Sequence, residues 1–160
     1  HRRWDLRYRH GTGRAVTASV REARPADRTR LEAIQQATLS DPSPALLEAA
    51  VGGPLLALVS CETGRPVGYL IAITDGERAY LPELAVDPTV QRRGHGSALI
   101  DAVRRRLQEK GVSVLRLTAR ADDAGARQFY ERVGFEAVER VPDHYESGDD
   151  GVIYERSLDA

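Results

Sequence analysis

The apolar positions of this chain change period along its length, and each change marks an element. Val20 leads a short strand that ends at Pro25. Leu31, Ile34 and Leu39 then recur at helical spacing behind Asp27, a residue type that caps helices. Pro42 and Pro44 break that helix, and a short one over 45–50 stops at Gly52-Gly53-Pro54. Strands follow over 55–61, 66–74 and 79–86, joined by Glu62-Thr63-Gly64-Arg65 and Asp75-Gly76-Glu77, where glycine supplies positive φ. Three consecutive antiparallel strands make a meander. Helical spacing returns with Leu99, Ile100, Val103 and Leu107, and Gly111 closes that helix. A strand over 112–117, a helix capped by Asp122 or Asp123 and ended by Gly134, and strands over 135–141 and 152–158 complete the order β-α-α-β-β-β-α-β-α-β-β. The fourth and fifth strands are joined through a helix, so they should run parallel. The pattern predicts a mixed α/β (α+β) domain over 19–160, with no internal repeat.

Residues 1–18 lack this periodicity. They carry Arg2, Arg3, Arg7, Arg9 and Arg14 against Asp5, and read as a flexible extension or as a basic arm for an acidic partner. The formal net charge of −1 gives no overall reason to expect a nucleic-acid or membrane partner. The Arg104-Arg105-Arg106 run reads as a solvated helix face. Cys61 is the one cysteine, so no intrachain disulfide forms; it reads as a small buried apolar residue. No apolar run approaches the roughly 18 residues of a membrane span, and no signal-peptide pattern is present, so the cytoplasm is the expected compartment. The chain opens on His1 and has no methionine, which predicts that residue 1 is not the native start. The four histidines show no metal-ligand spacing, and no metal is expected.

The most informative stretch is Gln91-Arg92-Arg93-Gly94-His95-Gly96, lying between a strand and an amphipathic helix. Glycines spaced by one residue let the backbone approach an anion, and the following helix offers unpaired N–H groups at the positive end of its dipole. Two arginines add charge suited to a pyrophosphate. Taken alone, the stretch is either an anion cradle or a tight turn. A dinucleotide fingerprint fits poorly, because Leu99 stands where its third glycine belongs and the preceding strand comes late in an antiparallel meander.

Two motifs in order resemble a known family. Leu84-Ala85-Val86-Asp87-Pro88 followed by the 91–96 loop resembles the acetyl-CoA signature of GNAT acetyltransferases. Ala126-Arg127-Gln128-Phe129-Tyr130-Glu131-Arg132-Val133-Gly134-Phe135 resembles the family's second signature, with the expected strand between the two. The resemblance covers about residues 19–158. It implies the GNAT fold: a central, mostly antiparallel seven-stranded sheet with parallel strands 4 and 5 splayed apart, and helices on both faces. It also implies acetyl-CoA as co-substrate. The backbone of Leu84, Ala85 and Val86 would pair with the pantetheine and polarise the thioester, the logic of an oxyanion hole. Gln91, Arg92, Arg93, Gly94, His95, Gly96 and Ser97 would hold the pyrophosphate, with the His95 backbone N–H mattering more than its ring.

Tyr130 matches the family tyrosine beside the thiolate leaving group, a general acid whose ordinary pKa of about 10 keeps it protonated at neutral pH; the other reading of Tyr130 is core packing beside Phe129. Glu83, two residues before Ala85, is the candidate base, directly or through water; otherwise it is a solvated carboxylate. Asp123 and Ala126 fall in the cofactor-contacting region, but Asp123 departs from the asparagine many members carry, and aspartate cannot donate the amide's hydrogen bonds. Its helix cap stands either way.

Acceptor choice in the family rests on 38–53 and 142–151. The second segment is aromatic and acidic and resembles that of ribosomal-protein alanine and protein N-terminal acetyltransferases, which implies a peptide slot shaped by Tyr145. The expected reaction is direct attack of a primary amine, with a protein or peptide N-terminus as the candidate acceptor, on acetyl-CoA in a ternary complex. The alternatives are a small polyamine or antibiotic-type acceptor, and a CoA-binding regulatory module without turnover. A monomer or homodimer is expected.

Overall fold

The computed structural model describes the backbone of residues 4–9 and 15–159 and the side chains of 18–159. Its strands are β1 (Trp4–Arg9), β2 (Ala15–Glu22), β3 (Leu56–Glu62), β4 (Arg65–Asp75), β5 (Arg78–Val86), β6 (Val114–Arg120), β7 (Glu136–Val141) and β8 (Gly151–Ser157). Its helices are α1 (Arg28–Thr38), α2 (Pro44–Ala50), α3 (His95–Glu109) and α4 (Ala124–Arg132). The seven expected strands are present, and β1 adds an eighth. The chain divides into two compact units, residues 1–72 with 83–105, and residues 73–82 with 106–160.

In the first unit the strand order is β1-β2-β3-β4-β5, with antiparallel ladders joining β1 to β2, β2 to β3 and β3 to β4. Within the segment expected to be a flexible extension, residues 4–9 and 15–18 are described, and they are strand. Trp4 pairs with Val20 and Arg9 with Ala15, which carries the sheet into the arginine-containing segment. Trp4, Leu6 and Tyr8 alternate with charged residues, a strand period that the arginine count obscures. Arg2, Arg3 and Arg14 of the expected basic arm lie outside the described residues, as do the side chains of Arg7 and Arg9.

Alternation along β3 sorts its side chains onto two faces. Ala57, Val59 and Cys61 join Leu31 and Ile34 of α1 and Leu47 and Ala50 of α2 in one core cluster, completed by Tyr69, Ile71 and Ala85. Cys61 is buried there, as its type predicted. On the opposite face, Ser60 meets α3 through His95. Gly68 lies near Leu99 of α3, and a Cβ there would stand 3.2 Å from the Ala85 carbonyl oxygen, so any larger residue would push β4 and β5 apart by a few tenths of an ångström. Helices thus cover both faces in this unit.

Asp27 does not cap α1 with its side chain. It is buried and committed elsewhere: its carboxylate accepts the Arg24 backbone N–H at 2.7 Å and a two-pronged ion pair from Arg21 at 2.7 and 2.9 Å. The cap expected at Asp123 does form, accepting the Ala126 N–H at 3.0 Å, and Ser43 caps α2.

In the second unit β5-β6-β8-β7 follow in order. β5 and β6, the expected strands 4 and 5, are parallel as predicted. Their ladder holds three residue pairs, from Arg78–Val114 to Tyr80–Arg116, although β5 continues to Val86 and β6 to Arg120. Both helix ends that precede a strand here are glycine-closed. At α4 the Phe135 N–H reaches the Tyr130 carbonyl at 2.9 Å and the Gly134 N–H reaches that of Glu131 at 3.2 Å, with Gly134 at φ +98°. Among the described residues no helix is long and apolar enough to cross a membrane.

Asp87, which follows β5, gives the fold an acid-sensitive point. It accepts the Thr89 N–H at 2.9 Å, the Arg30 guanidinium at 2.6 Å and the Thr89 hydroxyl at 2.8 Å, and these hold its carboxyl down at about 2. A depressed carboxyl stabilises the fold above its unfolded pKa of about 3.9, and that stability is lost as pH falls through the folded value. Asp87→Asn should cost about 1–2 kcal/mol in denaturant unfolding at pH 7, allowing for partial solvent screening. The gap to wild type should close as pH falls from about 4 to 2.

Candidate functional site

The loop before α3 is built to leave donors open. Arg92 and Gly94 both adopt left-handed backbone, φ +66° and +89°. That conformation is ordinary for glycine and strained for arginine. Ala98 N–H closes the first helical bond on the Gly94 carbonyl at 2.9 Å, which makes Gly94 the cap residue. Glycine has no side chain to bond the first turn, so the N–H groups of His95, Gly96 and Ser97 have no intrahelical partner. This is the geometry that accepts an anion. Gln91 is tied back to the end of β5 by its amide, which donates to the Val86 carbonyl at 3.1 Å. Arg92 is exposed. Arg93 is half-buried and ion-paired with Glu62 at 3.1 Å.

The His95 ring is buried and bonded on both nitrogens: Nδ1 lies 2.6 Å from Ser60 Oγ and Nε2 lies 2.5 Å from Glu62 Oε2.

On β5 of the same unit, Leu84, Ala85 and Val86 follow Glu83. Glu83 is not a solvated strand-face carboxylate. It occupies the inward register with Ala79, Leu81 and Ala85, and only 7% of its surface is exposed. Tyr69 O–H donates to Oε1 at 2.8 Å, and Gln35 Nε2 donates to Oε1 at 2.9 Å and to Oε2 at 3.2 Å. Burial, then the charge of Glu83, pushes the Tyr69 phenol far up, so Tyr69 stays a donor. The Gln35 carbonyl oxygen is buried with no hydrogen-bond partner. Sequence reasoning missed Tyr69 and Gln35. The available signal was Gln35 itself, a polar residue on the stripe that carries Leu31 and Ile34.

The second unit holds the remaining residues. Tyr130 packs edge-on against Phe129 and Phe135, with ring centroids 5.3 and 5.9 Å away, and 6.1 Å from Tyr154. The Phe135 contact belongs to the glycine-closed end of α4, so the helix terminus itself sets the ring's place. Burial pushes the Tyr130 phenol up to about 12, helped by the charge of Asp123 and by Tyr145 and Tyr80. It is therefore a proton donor throughout the neutral range. Asp123 and Ala126 form the cap at the start of the same helix.

Tyr145 is held by Arg120, whose guanidinium stacks on its ring at 4.1 Å and also bonds Asp149 at 2.8 Å. His144 packs edge-on against Tyr145 at 4.8 Å. Asp150 pairs with Arg140 at 2.9 Å. Two of the loop's acids are thus internally compensated, and they line an open depression of about 350 Å³ with Ala121, Asp122, Arg140 and Gly148. On α3, Asp101 pairs with Arg104 at 2.7 Å and Arg105 at 3.2 Å, as a solvated charged face does. Among the described residues no group of three or more His, Cys, Asp or Glu is arranged to hold a metal ion.

A mixed sheet with a parallel pair joined through a helix that starts at a glycine, and with a protonated tyrosine on the next helix, defines a mixed α/β protein of one topological class. Residues 18–135 match the acetyltransferase (GNAT) family, and the chain belongs to it. It is 33% identical over 88 residues to the [ribosomal protein bS18]-alanine N-acetyltransferase of Escherichia coli K12, an alignment covering 55% of this chain and 60% of that protein's length. Among solved structures it is similar to the ribosomal-protein-S18-alanine N-acetyltransferase of Escherichia coli, with TM-score 0.80, 26% identity, and 89% and 95% of the two chains covered. It is also similar to Ard1 of Thermoplasma volcanium, with TM-score 0.81, 26% identity, and coverage of 89% and 99%.

Proposed function

We propose that this chain transfers the acetyl group of acetyl-CoA to a primary amine, and that its acceptor is the α-amine of a protein or peptide N-terminus. The observation that carries the reading is the uncapped first turn of α3 behind Gly94, flanked by Arg92 and Arg93 within the family's signature. The pyrophosphate of CoA binds there, and the thioester lies along the backbone of Leu84, Ala85 and Val86. The acceptor nitrogen attacks the thioester carbon, and the C–S bond breaks as the tetrahedral intermediate collapses. The amine's proton passes to Glu83, and Tyr130 donates its phenolic proton to the departing thiolate. Asp123 and Ala126 of the α4 cap complete the cofactor contacts. Tyr145, stacked beneath Arg120, shapes the acceptor slot. The protein works in the cytoplasm as a monomer or homodimer.

Two features support the peptide acceptor over a small amine. Relatives reported above are named for acetylating an alanine of a ribosomal protein, and the acids Asp149 and Asp150 are already paired with arginines, which weakens them as an attractor for a polycation. Release of free CoA thiol, measured over N-terminal peptides, polyamines and aminoglycosides, tests the reading. Turnover is expected with peptides bearing small first residues. Turnover confined to small amines would overturn the acceptor, and CoA binding without turnover on any amine would make the chain a binding module.

A further inference from the structure

We propose that the side chains of Ser60, His95 and Glu62 form a positioning relay that aims Arg93 and the first turn of α3 at the phosphate ligand, without those side chains touching the ligand. The proposal rests on the phosphate site described above. Alternation puts Ser60 and Glu62 of β3 on one face, and the His95 ring is the bridge between them. A carboxylate only accepts, so Nε2 carries the proton that goes to Glu62, and Nδ1 accepts the Ser60 hydroxyl. The second oxygen of Glu62 accepts from Arg93 at 3.1 Å. Every polar atom of the His95 ring is thereby used, and one carboxylate holds both residues that flank Gly94.

The order serine–histidine–glutamate resembles a hydrolytic triad, but Ser60 and His95 are sealed from solvent, at 0% and 1% exposure, so no substrate reaches the hydroxyl. What the buried chain can do is fix geometry. A helix start anchored only by glycine backbone is otherwise free to pivot, and the long side chain of Arg93 beside it has many rotamers. The relay removes both freedoms before the ligand arrives. An apolar residue at position 95 would fill the space and lose both anchors.

The test compares CoA, which carries the pyrophosphate, with pantetheine, which does not. Dissociation constants are measured by calorimetry for CoA and by competition for pantetheine. In His95→Phe, CoA should bind about tenfold more weakly, the scale of one lost charge-assisted hydrogen bond, while pantetheine stays within about twofold. His95→Gln places an amide N–H near Nε2 and should bring CoA back to within about threefold of wild type. CoA affinity unchanged in His95→Phe, an equal loss for both ligands, or no rescue by glutamine would each overturn the relay. If His95→Phe does not fold, Ser60→Ala removes a single hydroxyl and should show the same contrast at about threefold. Wild-type protein that binds CoA no better than pantetheine would remove the phosphate site itself, and the relay with it.

Discussion

Tyr130→Phe is expected to lower kcat by about a hundredfold or more, with CoA affinity and unfolding midpoint unchanged. The substitution removes one oxygen and keeps the ring against Phe129, Phe135 and Tyr154. The wild-type phenol stands near 12, because burial first, then Asp123, Tyr145 and Tyr80, disfavour the phenolate. A raised phenol remains protonated as pH rises, so Tyr130 should contribute no alkaline loss of activity below about pH 11. Thiol-release kinetics and CoA calorimetry on the same preparation separate the two properties. A kcat within about threefold of wild type would reduce Tyr130 to a packing residue.

Glu83→Gln should cost about a hundredfold in kcat while leaving the fold within about 1 kcal/mol of wild type. The stability half of this expectation comes from the partners. A glutamine oxygen at position 83 can accept from Tyr69 and Gln35 as the carboxylate does. Its new N–H₂ takes the place of Oε2, whose bond from Gln35 Nε2, the longer of the two at 3.2 Å, is given up. The capacity to take a proton is lost with it. Tyr69→Phe is the control: it keeps the carboxylate, removes one donor, and should lower the unfolding midpoint more than the rate. Equal losses of stability and rate across both variants would mean that Glu83 is a structural hub and that another group takes the proton.

The elements were legible because their signals were local. Gly64, Gly76, Gly111 and Gly134 all take the left-handed backbone that ends the predicted strands and helices. The Ala126–Phe135 motif placed both a helix and the ring of Tyr130, since the same Gly134 that stops α4 delivers Phe135 onto it. Most of what the sequence did not show is side-chain partnership, which single-chain periodicity does not encode. Asp27 looked like a cap until Arg21, six residues away on β2, claimed both its oxygens. His95 looked like a spacer between glycines, and its partners lie more than thirty positions earlier on β3. Glu83 did leave a trace, a carboxylate in the same alternating register as Leu81 and Ala85, but the residues that make its burial tolerable, Tyr69 and Gln35, come from two other elements. The strand at Trp4–Arg9 was hidden by arginines that alternate with its apolar positions.

The central claim is acetyl transfer to an N-terminal amine, and a tandem mass spectrum of product tests it most directly. Peptides carrying both a free α-amine and an internal lysine are incubated with the protein and acetyl-CoA, then fragmented. One acetyl group on the α-nitrogen, absent when Tyr130→Phe replaces wild type over the same interval, is the predicted result. Unmodified peptide in the presence of bound CoA, or acetyl groups on lysine alone, would contradict it.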